Sequence, residues 1–120
     1  LAACSLEDLV SLRAGFRAKY LLDAARKVAS GQVDLARVAA APVEEGRREL
    51  QTIFGVGPKV AECALLYGFH KTECFPMDVW MKRAMATLFP EKSVLDFGPY
   101  AGIAQQYIFH YSRLHPELFR

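Results

Sequence analysis

Apolar residues recur at three- and four-residue intervals along nearly the whole chain, and no segment alternates convincingly residue by residue. That pattern predicts helices throughout and no strand. The segment S-L-E-D-L-V-S-L reads as a short helix capped by Ser5. Gly15 interrupts, after which Tyr20, Leu21, Ala24, Ala25 and Val28 form the predicted apolar stripe of a longer helix that ends at Ser30-Gly31. Asp34 is placed to cap a short successor. Pro42 precedes V-E-E-G-R-R-E-L-Q-T-I, with acids first and arginines later, as the helix dipole favours. A G-V-G turn follows, and Pro58 takes the first position of a helix running to about Phe69. Phe75-Pro76 reads as an extended loop, and Asp78 as the cap of V-W-M-K-R-A-M-A-T-L. Gly98-Pro99 begins a long final helix, Y-A-G-I-A-Q-Q-Y-I-F-H-Y. About six or seven short helices with brief connections define an irregular all-α bundle.

Composition narrows the class. A chain of 120 residues with 52% hydrophobic positions is expected to fold as a single domain over residues 1–120. The net charge of +2 is too mild to argue nucleic-acid binding by itself, since only a clustered basic surface does that. No apolar run approaches the roughly 18 residues of a membrane helix. Cys4, Cys63 and Cys74 are odd in number and widely spaced, which argues against a disulfide framework and against an iron–sulfur cluster. An intracellular, reducing compartment is the expectation. The chain opens at Leu1 without methionine and reads as a fragment of a longer protein.

Chemistry concentrates between Leu50 and Trp80. Gly55 and Gly57 let a backbone turn approach a partner closely, and the helix that follows presents N–H groups and partial positive charge at its start, which suits a phosphate. The alternative is a helix–helix corner that merely needs glycine. Lys59 lies on the first turn of that helix, where Val60 and Cys63 are expected to desolvate it partly and suit it to nucleophilic chemistry. As a solvated lysine it would instead contact phosphate. Cys63 lies one turn on, on the same face. Asp78 has the structural work of an N-cap, and a capped carboxylate is also fixed in direction and able to stabilise positive charge on a sugar. Gln105 and Phe109 share a face of the last helix, an amide beside a flat ring, suited either to core packing or to holding a flipped base.

Taken in order, these segments resemble the helix-hairpin-helix DNA glycosylase superfamily, and within it the 8-oxoguanine DNA glycosylases. L-x-x-I-x-G-V-G-x-K-V-A-E-C is similar to the family's hairpin and catalytic helix, and F-P-M-D-V-W to the loop bearing its aspartate. A-G-F-R-A-K-Y-L resembles its aromatic–arginine helix start, and F-G-P-Y-A-G-I-A-Q-Q-Y-I-F its base-recognition helix. The resemblance implies that Lys59 attacks the sugar C1′ and forms a Schiff base, and that Asp78 supports base departure. It implies that Cys63 and Phe109 sandwich the extruded purine, while Gln105 reads its Watson–Crick edge. Gly55, Gly57 and Val60 would bind phosphate through the backbone, and Phe16 and Arg17 would wedge the duplex and contact the opposite cytosine. Trp80 stands where relatives carry a histidine near a phosphate, and an indole there offers one hydrogen bond and no charge. No cofactor is implied, although backbone carbonyls near Gln51, Ile53 and Val56 match a structural cation site. The expected partner is double-stranded DNA containing an oxidised guanine, bound by a monomer away from any membrane. The expected activity is base removal followed by strand cleavage. Expected locations are the nucleus of a eukaryote or the cytoplasm and nucleoid of a prokaryote. The alternatives are a glycosylase for another damaged base and a non-catalytic hairpin module.

Overall fold

The computed structural model describes residues 1–119, and every regular element among them is helical. The α-helices are α1 (Ala18–Ser30), α2 (Leu35–Ala40), α3 (Val43–Leu50), α4 (Pro58–Gly68), α5 (Val79–Leu88) and α6 (Ala101–Leu114). Short 3-10 segments at Glu7–Leu12, Gly15–Arg17, Val94–Tyr100 and Pro116–Phe119 flank them. No helix among the described residues is long and apolar enough to cross a membrane. The chain divides into two compact units, Leu1–Ala61 and Glu62 onward.

In the first unit, Leu9, Leu22, Val33, Val38, Leu50, Ile53 and Ala61 are buried. Ser5 and Asp8 bond reciprocally, the Ser5 N–H donating to Asp8 Oδ2 at 2.8 Å and the Asp8 N–H to Ser5 Oγ at 3.4 Å, but the segment they open winds as a 3-10 helix. Asp34 caps α2 as its sequence predicts, accepting from the N–H groups of Ala36 and Arg37. The predicted stripe of α1 is only partly right. Leu21 and Val28 are 43% and 38% exposed, and the buried anchor is Leu22. The face of α1 that includes Tyr20 also carries Asp23 and Lys27, an ion pair at 2.7 Å. Helix α3 stops at Leu50, short of the predicted run, because Thr52 and Ile53 donate to the carbonyls of Glu49 and Leu50 and tighten the chain into turns.

In the second unit, Phe75, Met81, Ala84, Met85, Ala101, Ile108 and Phe119 form the core, with Trp80, Phe97 and Phe109 packed against it. Asp78 caps α5, accepting from the Met81 N–H at 2.8 Å. Helix α6 begins at Ala101, later than predicted, because Gly98 adopts φ 68° and breaks the segment before Pro99. Close approach then sets the start of α6. The Gly102 N–H donates to the Thr72 carbonyl at 2.7 Å, and a Cβ on Gly102 would lie 2.5 Å from the Cys74 carbonyl oxygen and 2.4 Å from Leu66 Cδ1. The loop ahead of Asp78 is thereby pinned between α4 and α6.

Three carboxylates in the first unit are held below their ordinary titration range. The Ser5 backbone N–H does this for Asp8, the Lys27 ammonium and then the Phe54 N–H for Asp23, and the Arg37 guanidinium for Glu49. A lowered folded-state value contributes stability that is complete above the unfolded value and is lost as pH falls through the folded one. Thermal unfolding midpoints are therefore expected to stay level from neutral pH down to about 5 and to fall below about 4. A midpoint unchanged at pH 3 would contradict this.

Candidate functional site

The G-V-G turn is a type II β-turn over Ile53–Val56, closed by the Val56 N–H donating to the Ile53 carbonyl at 3.1 Å. Gly55 occupies its third position at φ 85°, a conformation that favours glycine. Its α-carbon also faces the ring of Tyr20, and an added Cβ would sit 2.5 Å from Tyr20 Cγ. Gly55 is thus explained by the fold itself. The Gly57 backbone is ordinary, and an added Cβ would meet nothing within 4 Å. It stands at the N-cap of α4, where its carbonyl accepts from the Ala61 N–H at 3.0 Å. Having no side chain, Gly57 cannot itself cap the N–H groups of Lys59 and Val60, which point out of the helix start.

Around the turn the first unit assembles an aromatic ladder. Phe16 meets Tyr20 edge-on at 5.9 Å, and Tyr20 meets Phe54 at 5.2 Å. Cations lie over these rings, Arg17 on Phe16 at 4.9 Å and Lys19 on both Tyr20 and Phe54. Phe16 and Phe54 are 63% and 56% exposed. Gly55, Gly57, Val60, Phe16 and Arg17 therefore all belong to this unit, with the aromatic ladder running between the 3-10 start of α1 and the turn. Lys59 lies on the first turn of α4 and is exposed, as is Val60. The apolar cover predicted for Lys59 from Val60 and Cys63 is thus absent: Val60 itself is 48% exposed and leaves the amine in solvent.

The second unit gathers the other candidates. Gln105 on α6 is buried, and its Nε2 donates to the Pro76 carbonyl at 3.3 Å. A carbonyl only accepts, so the amide nitrogen faces Pro76 and Oε1 is the remaining acceptor. Oε1 is enclosed and has no partner. The Phe75 N–H donates to Glu62 Oε2 at 2.9 Å, tying the same loop to α4 beside Cys63. Gln105, the Pro76–Asp78 loop and the Glu62–Cys63 turn of α4 are therefore linked by hydrogen bonds. Phe109 is half-buried against the core, with Arg113 over its ring at 5.8 Å.

Trp80 packs its ring on Phe119 at 5.9 Å, and its Nε1 is enclosed without a partner. The cation expected at Gln51, Ile53 and Val56 would need their backbone carbonyl oxygens, the hard donors that alkali and alkaline-earth ions take. The Ile53 oxygen already accepts from Val56, and no group of three or more His, Cys, Asp or Glu among the described residues assembles a metal site. The residues that sequence reasoning missed are Tyr20, Pro76, Asp23 and Lys27. Only the last two carried a signal, a charge pair at i and i+4 amid an apolar stripe.

No protein-family model matches the chain. A probable N-glycosylase/DNA lyase of Methanothermobacter thermautotrophicus is 39% identical over 119 residues, covering 91% of this chain and 38% of the relative. The N-glycosylase/DNA lyase OGG1 of Arabidopsis thaliana is 31% identical over 130 residues, covering 91% and 36%. Among solved structures, MBOgg1 in complex with a low-affinity DNA ligand matches with a TM-score of 0.88 and 40% identity, over 97% of this chain and 44% of that one. The 8-oxoguanine glycosylase/lyase of Clostridium acetobutylicum, bound to double-stranded DNA containing cytosine opposite 8-oxoG, matches at 0.84 and 36%, over 97% and 43%. The chain spans about two-fifths of the length of these relatives. It belongs to the helix-hairpin-helix DNA glycosylase superfamily.

Proposed function

We propose that this chain is the hairpin and base-recognition part of a base-excision-repair enzyme that removes 8-oxoguanine from DNA and then cleaves the strand. The observation that carries the reading is Gln105. Its amide is locked by Pro76 with an unpartnered acceptor, Oε1, in a buried setting. Leaving such an atom unpaired costs about 1–3 kcal/mol, which a ligand donor recovers. The Watson–Crick edge of guanine and of 8-oxoguanine offers adjacent N1–H and N2–H donors, whereas adenine presents an acceptor at N1. An acceptor at this position therefore favours a guanine-type edge, oxidised or not, over the N1 acceptor of adenine. Phe109 and Cys63 supply the flat and soft surfaces that stack on a flipped purine.

In the reaction proposed, the Lys59 amine attacks C1′ of the deoxyribose as the bond to the base breaks, and the Asp78 carboxylate stabilises the positive charge that develops on the sugar. Loss of a proton and ring opening give an imine between Lys59 and C1′. Removal of a C2′ proton then expels the 3′ phosphate by β-elimination, cutting the strand. Gly55, Gly57 and Val60 hold phosphate through backbone N–H groups, while Phe16 and Arg17 occupy the space the base vacates. Trp80 contributes packing to the second unit. A cation on the carbonyls of Gln51, Ile53 and Val56 would add positive charge near the bound phosphate. Such a repair role places the protein with the chromosome, in the nucleus of a eukaryote or the cytoplasm of a prokaryote.

Single-turnover base release from a panel of duplexes tests the substrate. The protein carrying this chain is expected to release 8-oxoguanine opposite cytosine, with Gln105→Ala about 10- to 100-fold slower. Faster release of an alkylated adenine would favour a glycosylase for another base, and binding without any release would favour a non-catalytic module. Gly57→Ala is expected to change stability by less than about 1 kcal/mol and to weaken duplex binding, because a methyl group then stands where phosphate approaches. Unchanged binding would remove Gly57 from the phosphate site.

A further inference from the structure

One face of α1 carries Tyr20, Asp23 and Lys27, and all three engage the turn that opens the hairpin. Asp23 Oδ2 accepts from the Phe54 N–H at 2.7 Å and from Lys27 Nζ at 2.7 Å. Lys27 Nζ also donates to the Thr52 carbonyl at 2.6 Å. Tyr20 closes against the α-carbon of Gly55. A carboxylate thus takes an amide and an ammonium takes a carbonyl on residues 52 and 54, immediately before the glycine turn. Charge-assisted bonds of this length are stronger and more directional than neutral ones.

We infer that Asp23 and Lys27 are positioning residues for the phosphate-binding hairpin, holding the turn at the angle from which its outward N–H groups meet DNA. Asp23 fixes the Phe54 amide, Lys27 holds Asp23 and the Thr52 carbonyl in place, and Tyr20 blocks rotation of the turn at Gly55. This rests on reading the hairpin as a phosphate-binding turn. It adds that DNA affinity depends on a carboxylate that itself touches no DNA.

Two neutral variants separate positioning from ion pairing. Asp23→Asn and Asp23→Leu both lose the pair with Lys27, but only asparagine keeps an oxygen acceptor for the Phe54 N–H. Binding is measured by fluorescence anisotropy on the protein carrying this chain, using a duplex with a tetrahydrofuran abasic-site analogue, which requires no base chemistry. Asp23→Asn is expected to bind within about 3-fold of wild type, and Asp23→Leu about 10-fold or more weaker. Equal affinities for the two variants overturn the positioning role. A second variant, the exchange Asp23→Lys with Lys27→Asp, keeps an ion pair but sets donor against donor at Phe54. It is expected to keep the unfolding temperature near that of wild type while losing at least the affinity lost by Asp23→Leu; wild-type binding by the exchange also overturns the role. Wild-type protein that fails to bind the duplex overturns the phosphate reading itself, a different outcome from any contrast among variants.

Discussion

Lys59→Gln is expected to abolish strand cleavage and to slow base release by about 10³-fold or more, while duplex affinity stays within a few-fold of wild type. The glutamine amide carries no nucleophilic lone pair, so no imine forms and β-elimination has no electron sink. Affinity survives because the proposed phosphate contacts around Lys59 come from backbone N–H groups, which the substitution leaves in place. Lys59 is exposed on the first turn of α4, so the change costs the fold little. Exposure has a second consequence. The chain leaves the Lys59 side chain exposed, so any desolvation of the amine comes with bound DNA. Cleavage that persists in Lys59→Gln, measured on a pre-formed abasic duplex, contradicts the assignment.

The second large effect falls on Asp78. Asp78→Asn is expected to lower single-turnover base release by about 10²–10³-fold with little loss of stability or binding. Asparagine caps helices as well as aspartate does, so the 2.8 Å bond from the Met81 N–H is preserved. What disappears is the negative charge that stabilises the sugar as the base leaves. The contrast between Asn and Ala sharpens the point. Asp78→Ala loses the cap as well and is expected to be about 1 kcal/mol less stable, whereas Asn isolates the charge. Excision by Asp78→Asn at the wild-type rate would leave Asp78 a cap and nothing more.

The helices and their caps were legible in the sequence where one residue does one local job. Asp34, Pro58 and Asp78 stand where helix-start chemistry puts them, and the structure uses each that way. The interior face of α1 was not legible. Periodicity selects Leu21 and Val28 and leaves out Leu22, and only the packing shows that the turn at Thr52–Phe54 claims the face bearing Asp23 and Lys27. The late start of α6 has a similar origin, since Gly98 and Pro99 announce a break without saying on which side the helix resumes. Gln105 is the plainest case. Its spacing to Phe109 marked a shared face, but the direction of its amide depends on the Pro76 carbonyl, far away in sequence.

Gly55 and Gly57 look equivalent in the motif and are not equivalent in the fold. Tyr20 and a positive φ explain the first, while the second stands at a helix N-cap, a position that favours glycine, with open space beside it. A glycine with open space beside it, at the start of a helix whose N–H groups lack a capping side chain from that position, fits a site whose occupant is another molecule. The buried acceptor of Gln105 has the same character.

The most direct measurement of the central claim is the site of covalent attachment. The protein carrying this chain is incubated with an 8-oxoguanine·cytosine duplex under borohydride, digested, and the DNA-linked peptide identified by mass spectrometry. The account predicts one reduced adduct, on the peptide that contains Lys59. An adduct on any other lysine, or base release with no adduct at all, would contradict it.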